Sequence, residues 1–356
     1  MTFNNRRTYS DIVTIDNSRE VIDPSYAVSF RASPSFVVYD ESFRQLLGSE
    51  PELTLVEERT YDFAHEAGVY VKSTNSVYFT ANFQTSNPIE LNSINSDTWV
   101  VKKLDYPLVT QANGACQYND GVLYCSQGDF STPSSLVLVN PASEKAVTLI
   151  NNFHGRQFSS INDVVIHHET GEIWFTDPTY GYEQAFRPSP VLPPQVYRFN
   201  PETSEISLVA DNYIMCNGLC FSPDYKKLYV TDTGGVKAHA GPGDGKQFSF
   251  NPRGEATIYE YDVVEKRYLT NRKTFAYADN GIPDGIKCDE FGNVYSGCGD
   301  GVHVWNSKGR LIGKIIVGSV AANFCFVKGG MWIFAEKRLY FARLKVKGTL
   351  VTIECE

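Results

Sequence analysis

No run in this sequence approaches about 18 apolar residues, so no segment reads as a membrane-spanning helix. The opening residues, Met1 to Arg7, are polar and lack the apolar core of a secretory leader. No Asn-x-Ser/Thr glycosylation acceptor occurs. The eight cysteines (Cys116, Cys125, Cys216, Cys220, Cys288, Cys298, Cys325 and Cys355) contain no Cys-x-x-Cys pair and no zinc-type spacing. Several lie inside apolar, strand-like runs. Together these absences read as a cytoplasmic protein with buried, reduced thiols; a hairpin disulfide such as Cys116–Cys125 is the alternative. Positive charge is also in deficit. A net charge of −9 argues against a nucleic-acid surface and mildly favours a bound cation.

What is present is a repeat. The stretch Ile161 to Gly181 shows it most fully. A polar pair, Asn162 and Asp163, opens an apolar run. A turn follows at Glu169 to Gly171, and a second run centred on Trp174 ends in Asp177-Pro178. This is the pattern of two strands joined by a hairpin. It recurs six times, with polar heads Glu66, Asn113, Asn162, Asn217, Asp284 and Asn323. The paired aromatics are Tyr78, Tyr124, Trp174, Tyr229, Tyr295 and Trp332. Head precedes aromatic by 12, 11, 12, 12, 11 and 9 positions, and successive aromatics lie 46, 50, 55, 66 and 37 residues apart. That is blade-sized spacing with insertions. Six such units predict an all-β fold, a six-bladed β-propeller with a central divalent-metal site. The polar heads would open the innermost strands and converge on one end of the channel.

The repeat overrides the two-domain prior that 356 residues would suggest. Residues 1–35 read as an arm and 36–356 as one propeller. Phe36 to Tyr39 reads as an outer strand, and an N-terminal strand completing the last blade would remove a free edge. The closing pair is expected at Leu339 to Leu344 with Leu350 to Ile353. Two insertions interrupt the rhythm: a Pro- and aromatic-rich one from Tyr180 to Pro194, and a Gly-rich one from Gly234 to Gly254. Both leave the end of a second strand, so both should overhang the polar ring as lids.

Two carboxylates and several amide oxygens at one point suit a hard cation. Ca²⁺ accepts six to eight oxygen ligands, whereas zinc would call for His or Cys, and the ring has neither. The candidate metal ligands are Glu66, Asn162, Asn217 and Asp284, and the candidate catalytic residues are Asp284, Asn162 and Glu66. Asn113, Tyr180, Tyr182 and His239 are the candidate substrate contacts. His65, beside Glu66, is expected to face away by strand alternation. Such a cation would polarise a carbonyl or phosphoryl oxygen and activate water.

At these residues the sequence resembles the senescence-marker-protein/gluconolactonase/regucalcin-like family. The likeness runs from about residue 60 to about residue 340. It is strongest at Asn162-Asp-Val…Gly171-Glu-Ile-Trp-Phe-Thr-Asp-Pro-Thr-Tyr-Gly181, at Asn217-Gly-Leu-Cys-Phe-Ser-Pro-Asp224, and at Ile282-Pro-Asp-Gly-Ile286. The Pro-rich insertion resembles that of fungal lactonohydrolases. The resemblance implies one catalytic divalent cation, usually Ca²⁺ (Mg²⁺, Mn²⁺ or Zn²⁺ being the other candidates), and hydrolysis of sugar or hydroxy-acid lactones. It further implies Glu66, Asn217 and Asp284 as direct ligands, Asn162 as ligand or substrate guide, and Asp284 as base. Glu66-Ala-Gly-Val69 departs from the family's usual Glu-Gly-Pro-like start. Asn113 stands where related paraoxonases carry a catalytic His. The expected partner is a small-molecule lactone, with no nucleic acid and no membrane, and the oligomeric state is open. The alternatives are a phosphotriesterase-like or specialised biosynthetic enzyme on the same scaffold, or a non-catalytic calcium-binding propeller.

Overall fold

Each of the six aromatic-centred runs is the second strand of an antiparallel sheet. A computed structural model describes residues 6–15, 35–84, 88–240 and 246–350, with the backbone alone at 238–240 and 246–248. The sheets are six blades around a channel. Blade one is Glu66–Val71, Ser76–Thr80, Leu91–Asn95 and Val101–Leu104. Blade two runs from Ala112–Tyr118 to Ala146–Ile150, and blade three from Val164–His167 to Ile206–Ala210. Blade four runs from Cys216–Phe221 to Tyr268–Tyr277. Blade five comprises Ile286–Cys288, Val294–Gly297, Gly301–Trp305 and Leu311–Ile316. Blade six comprises Asn323–Val327, Gly330–Ala335 and Arg338–Arg343.

The last blade takes its fourth strand from the N-terminal side of the chain, as edge-strand physics predicts. That strand is Glu52–Glu58, paired antiparallel with Arg338–Arg343, and not Phe36 to Tyr39. Phe36–Val38 instead adds a fifth strand outside Leu311–Ile316 of blade five. All three of its side chains are buried. The helix Glu41–Leu47, capped by Asp40, crosses from there to blade six and seats Phe43 where a Cβ on Gly313 would collide with its ring. An all-apolar strand needs cover on both faces, which this corner supplies. The expected closing pair is corrected likewise. Leu350 is not in a strand, and residues 351–353 lie outside the described residues.

The aromatic at the centre of each second strand is buried and packs between blades. Trp174 of blade three meets Phe221 of blade four at 5.5 Å, and Tyr295 of blade five meets Phe326 of blade six at 5.1 Å. Trp332 of blade six meets Trp99, beside blade one, at 5.2 Å. Each edge-to-face pair adds about 0.5–1.5 kcal/mol beyond area burial.

Polar contacts set the blades in register at the inner end. The hydroxyl of Thr80 donates to the Asn113 carbonyl at 3.1 Å. Thr176 donates to the Asn217 carbonyl at 2.7 Å, and Thr231 to the Asp284 carbonyl at 3.1 Å. The second strand of one blade thus holds the polar head of the next. The glycine after a head admits the neighbouring blade. A Cβ on Gly218 would lie 2.5 Å from the Asp284 carbonyl oxygen, and one on Gly285 2.3 Å from the Asn323 side chain. The substitution Gly218→Ala should therefore cost about 1–3 kcal/mol, as overpacking does. An unchanged denaturant midpoint would mean that blades four and five can part at this point.

Candidate active site

The heads of the innermost strands meet at one mouth of the channel. Glu66, Asn162 and Asn217 are buried there, and Asp284 is partly exposed. Asn323 does not offer an oxygen to the centre. Its Oδ1 accepts from the Phe324 amide, and its Nδ2 donates to Glu66 Oε2 at 2.8 Å, so it orients Glu66. By contrast, Oδ1 of Asn113, Asn162, Asn217 and Asp284 is buried without a hydrogen-bond partner. One buried orphan acceptor costs about 1–3 kcal/mol. Four such acceptors stand unpaired on the heads of the innermost strands.

The electrostatics agree. Burial raises the pKa of Glu66 well above the ordinary carboxylate range, and the neighbouring Asp284 raises it further. Asp284 is raised mainly by burial, with Glu336 and Asp163 adding repulsion. Asp163, next to Asn162, accepts from the amides of Val164 and Leu219 and ties blade three to blade four below the ring. Beneath it the channel opens into a cavity of about 120 Å³ whose lining includes Val69, Leu219, Ile286 and Phe326. Asp163 and Lys287 also line it, so charged groups continue below the ring.

Both insertions rise from that mouth. The first forms a short helix, Tyr180–Glu183. The Tyr180 phenol is hydrogen-bonded to Thr233 and accepts from Asn217 Nδ2 at 3.2 Å, so this loop reaches the ring. Arg187 anchors it from beneath. The guanidinium is buried and donates to the carbonyls of Asp129, Thr132, Phe158 and Ser159. Phe186 packs on Phe83 of blade one at 5.0 Å. Tyr182 is 51% exposed and makes no bond to the ring. The second insertion is a hairpin, Val236–Ala240 with Lys246–Phe250, lying beside the short helix. The backbone of His239 belongs to it, and its side chain lies outside the described residues.

The expectation for His65 is corrected. A His65 ring nitrogen and carboxylate oxygens of Glu66 and Asp284 all lie within 4.8 Å of one another. Strand alternation fails here because His65 precedes the strand, and the bulge at Ala67 (φ 70°) and Gly68 (φ 89°) shifts the register. His65 Nδ1 is 2.8 Å from Glu336 Oε1, and Glu336 Oε2 accepts from Asn82 Nδ2 at 2.9 Å. Glu336 and Asn82 were not singled out from the sequence. Each stands four positions after the blade aromatic (Trp332 and Tyr78), at the exit of a second strand, and that offset is the signal that would have found them. Asp177 and Asp232 occupy nearly the same exit. They accept from the amides of Ser159 and Ser160, and of Ile214 and Met215, where the chain enters the innermost strand.

A family model described as the SMP-30/gluconolactonase/LRE-like region matches residues 58–253 and 238–341. The chain belongs to this family. The lactonohydrolase oryL of Aspergillus oryzae is 31% identical over 361 residues, spanning 97% of this chain and 82% of that protein. A gluconolactonase of Zymomonas mobilis is 24% identical, spanning 66% of this chain and 63% of that one. Among solved structures, a gluconolactonase of Xanthomonas campestris superposes with a TM-score of 0.70 at 24% identity, covering 88% of this chain and 95% of that one. This family member thus carries its charged groups at the mouth its insertions overhang.

The raised carboxylates predict a pH dependence. Unfolded carboxyls titrate near about 4, whereas Glu66 and Asp284 hold their protons to higher pH and Asp177 is pushed up to about 7 by burial. The folded state therefore binds more protons in that window, and stability falls as pH rises through it. Chelator-treated protein should lose more than about 1.4 kcal/mol between about pH 4 and pH 7, the worth of one tenfold change in proton affinity. A divalent cation should flatten that slope. Denaturant unfolding across pH, with and without cation, checks both.

Proposed function

We propose that the protein is a divalent-cation-dependent lactonase that opens the lactone ring of a sugar acid or a related hydroxy acid. The observation that carries this reading is the set of orphaned buried oxygens around a pair of repelling carboxylates. Glu66, Asn162, Asn217 and Asp284 would hold the ion, and an all-oxygen set of this kind suits Ca²⁺. When bound, such an ion polarises a carbonyl and lowers the pKa of water.

The remaining chemistry belongs to the chain. Asp284 is the ring carboxylate with access to the mouth, and it takes the proton of the attacking water. Glu66 is kept in place by Asn323 and by the Ala67 amide. Asn162 and Asn113 direct amide groups toward the substrate's oxygens. Tyr180 forms the wall beside Asn217 and limits the size of the acyl portion, while Tyr182 and His239 stand farther out on the lids. The relatives' names, lactonohydrolase and gluconolactonase, support the ester class. A reducing, cytoplasmic setting is part of the proposal. All seven cysteines among the described residues are free thiols, including Cys116 and Cys125, and no described helix is long and apolar enough to cross a membrane.

Acid release from a panel of aldonolactones, pantolactone and an aromatic lactone tests the reading by pH-stat. EDTA should abolish turnover and Ca²⁺ should restore it. Asp284→Asn and Glu66→Gln should each lower kcat/KM by about 10²–10³, with circular dichroism unchanged. Full activity in either variant would refute the assignment.

A further inference from the structure

The ring was read from sequence as an all-oxygen site, but the folded chain brings a nitrogen to it. The His65 ring nitrogen, one Glu66 oxygen and one Asp284 oxygen share a space no wider than 4.8 Å. Donors about 2.1 Å from one ion sit about 3–4.2 Å apart, so the three atoms are close to the spread a single ion draws together. The partially buried imidazole is also held as ligating imidazoles are held. Its Nδ1 bonds Glu336, and Glu336 is fixed in turn by Asn82. A metal-bound histidine characteristically gives its other nitrogen to a carboxylate, which sets the tautomer and aims the ligating nitrogen. With Nδ1 bonded to Glu336, the ligating nitrogen would be Nε2. The orphaned Oδ1 atoms of Asn162 and Asn217, both side chains more than nine-tenths buried, point independently to a cation at the same mouth.

We propose that His65 is a direct nitrogen ligand of the ring's cation, positioned by Glu336, and that it biases the site from Ca²⁺ toward a first-row transition cation such as Zn²⁺. This rests on the reading of the ring as a cation site. The physical reason is ligand softness. Imidazole adds little to a hard ion that prefers oxygen, and much to a borderline one. Neither His65 nor Glu336 would hold Ca²⁺ by itself. Their arrangement decides which ion wins.

The test uses the full-length, metal-stripped protein. Ca²⁺ and Zn²⁺ are titrated calorimetrically into wild type, His65→Gln, Glu336→Gln and Asp284→Asn, with thermal unfolding confirming that each variant folds. Mn²⁺ serves as the probe for electron spin-echo spectroscopy. The expected results are a ¹⁴N coupling on bound Mn²⁺ in wild type that disappears in His65→Gln, and Zn²⁺ affinity that falls about 10- to 100-fold in that variant while Ca²⁺ affinity changes far less. Glu336→Gln should weaken Zn²⁺ about tenfold and keep the ¹⁴N signal. Mn²⁺ bound by wild type without nitrogen coupling would overturn the ligand assignment. Equal losses of Ca²⁺ and Zn²⁺ in His65→Gln would overturn the bias. Asp284→Asn separates the two levels. If it binds every ion as wild type does, or if wild type binds none, the ring reading fails and His65 falls with it.

Discussion

Close approach of neighbouring blades at the upper end of the channel is the constraint on which the site depends. The carboxylates of Glu66 and Asp284 repel each other, and several amide oxygens lie there without donors. Nothing local would bring such groups together. They are held by contacts made one blade away: threonine hydroxyls on the next head's carbonyl, and glycines where any side chain would collide with the neighbour. Aromatic pairs across the blade interfaces and the N-terminal strand that closes blade six stabilise the ring against that repulsion. The fold is strong where the site is unfavourable.

The lids follow the same logic. Each leaves the end of a second strand, which in an up-and-down blade returns to the end where the first strand began. A buried arginine satisfied by backbone carbonyls then fixes the longer insertion, so that Tyr180 meets Asn217 and Phe186 meets Phe83. A flexible loop would leave the mouth open to water. A loop tied to three blades defines a wall of the mouth. Family membership sets the ester class.

Much of the fold was legible because its information is periodic. A polar head, an apolar strand, a turn and an aromatic strand recur at nearly constant offsets, and alternation along each strand converts that offset into a direction. Which N-terminal strand closes the ring is not legible, because Phe36-Val-Val and Glu52-Leu-Thr-Leu-Val both satisfy a strand pattern, and pairing partners far apart in the chain are not written in either. Asn323 was grouped with the other heads, yet it turns its amide to Glu66, because a side chain's partner depends on what stands opposite it.

His65 marks the boundary between the two kinds of information. Its neighbour Glu66 opens the innermost strand and could be placed at the ring from the repeat alone. His65 lies one residue outside, before a bulge formed by two positive-φ residues, and no periodicity applies there. Composition and repeat spacing by themselves determined the blade count, the all-β class, and which residues head the innermost strands. They could do so because these properties arise from local pattern and chain connectivity. The tertiary structure alone decided that His65, Glu336 and Asn82 join the mouth, that Tyr180 reaches Asn217, and which strand closes the ring. Those are meetings between residues dozens to hundreds of positions apart, and only packing in three dimensions specifies them.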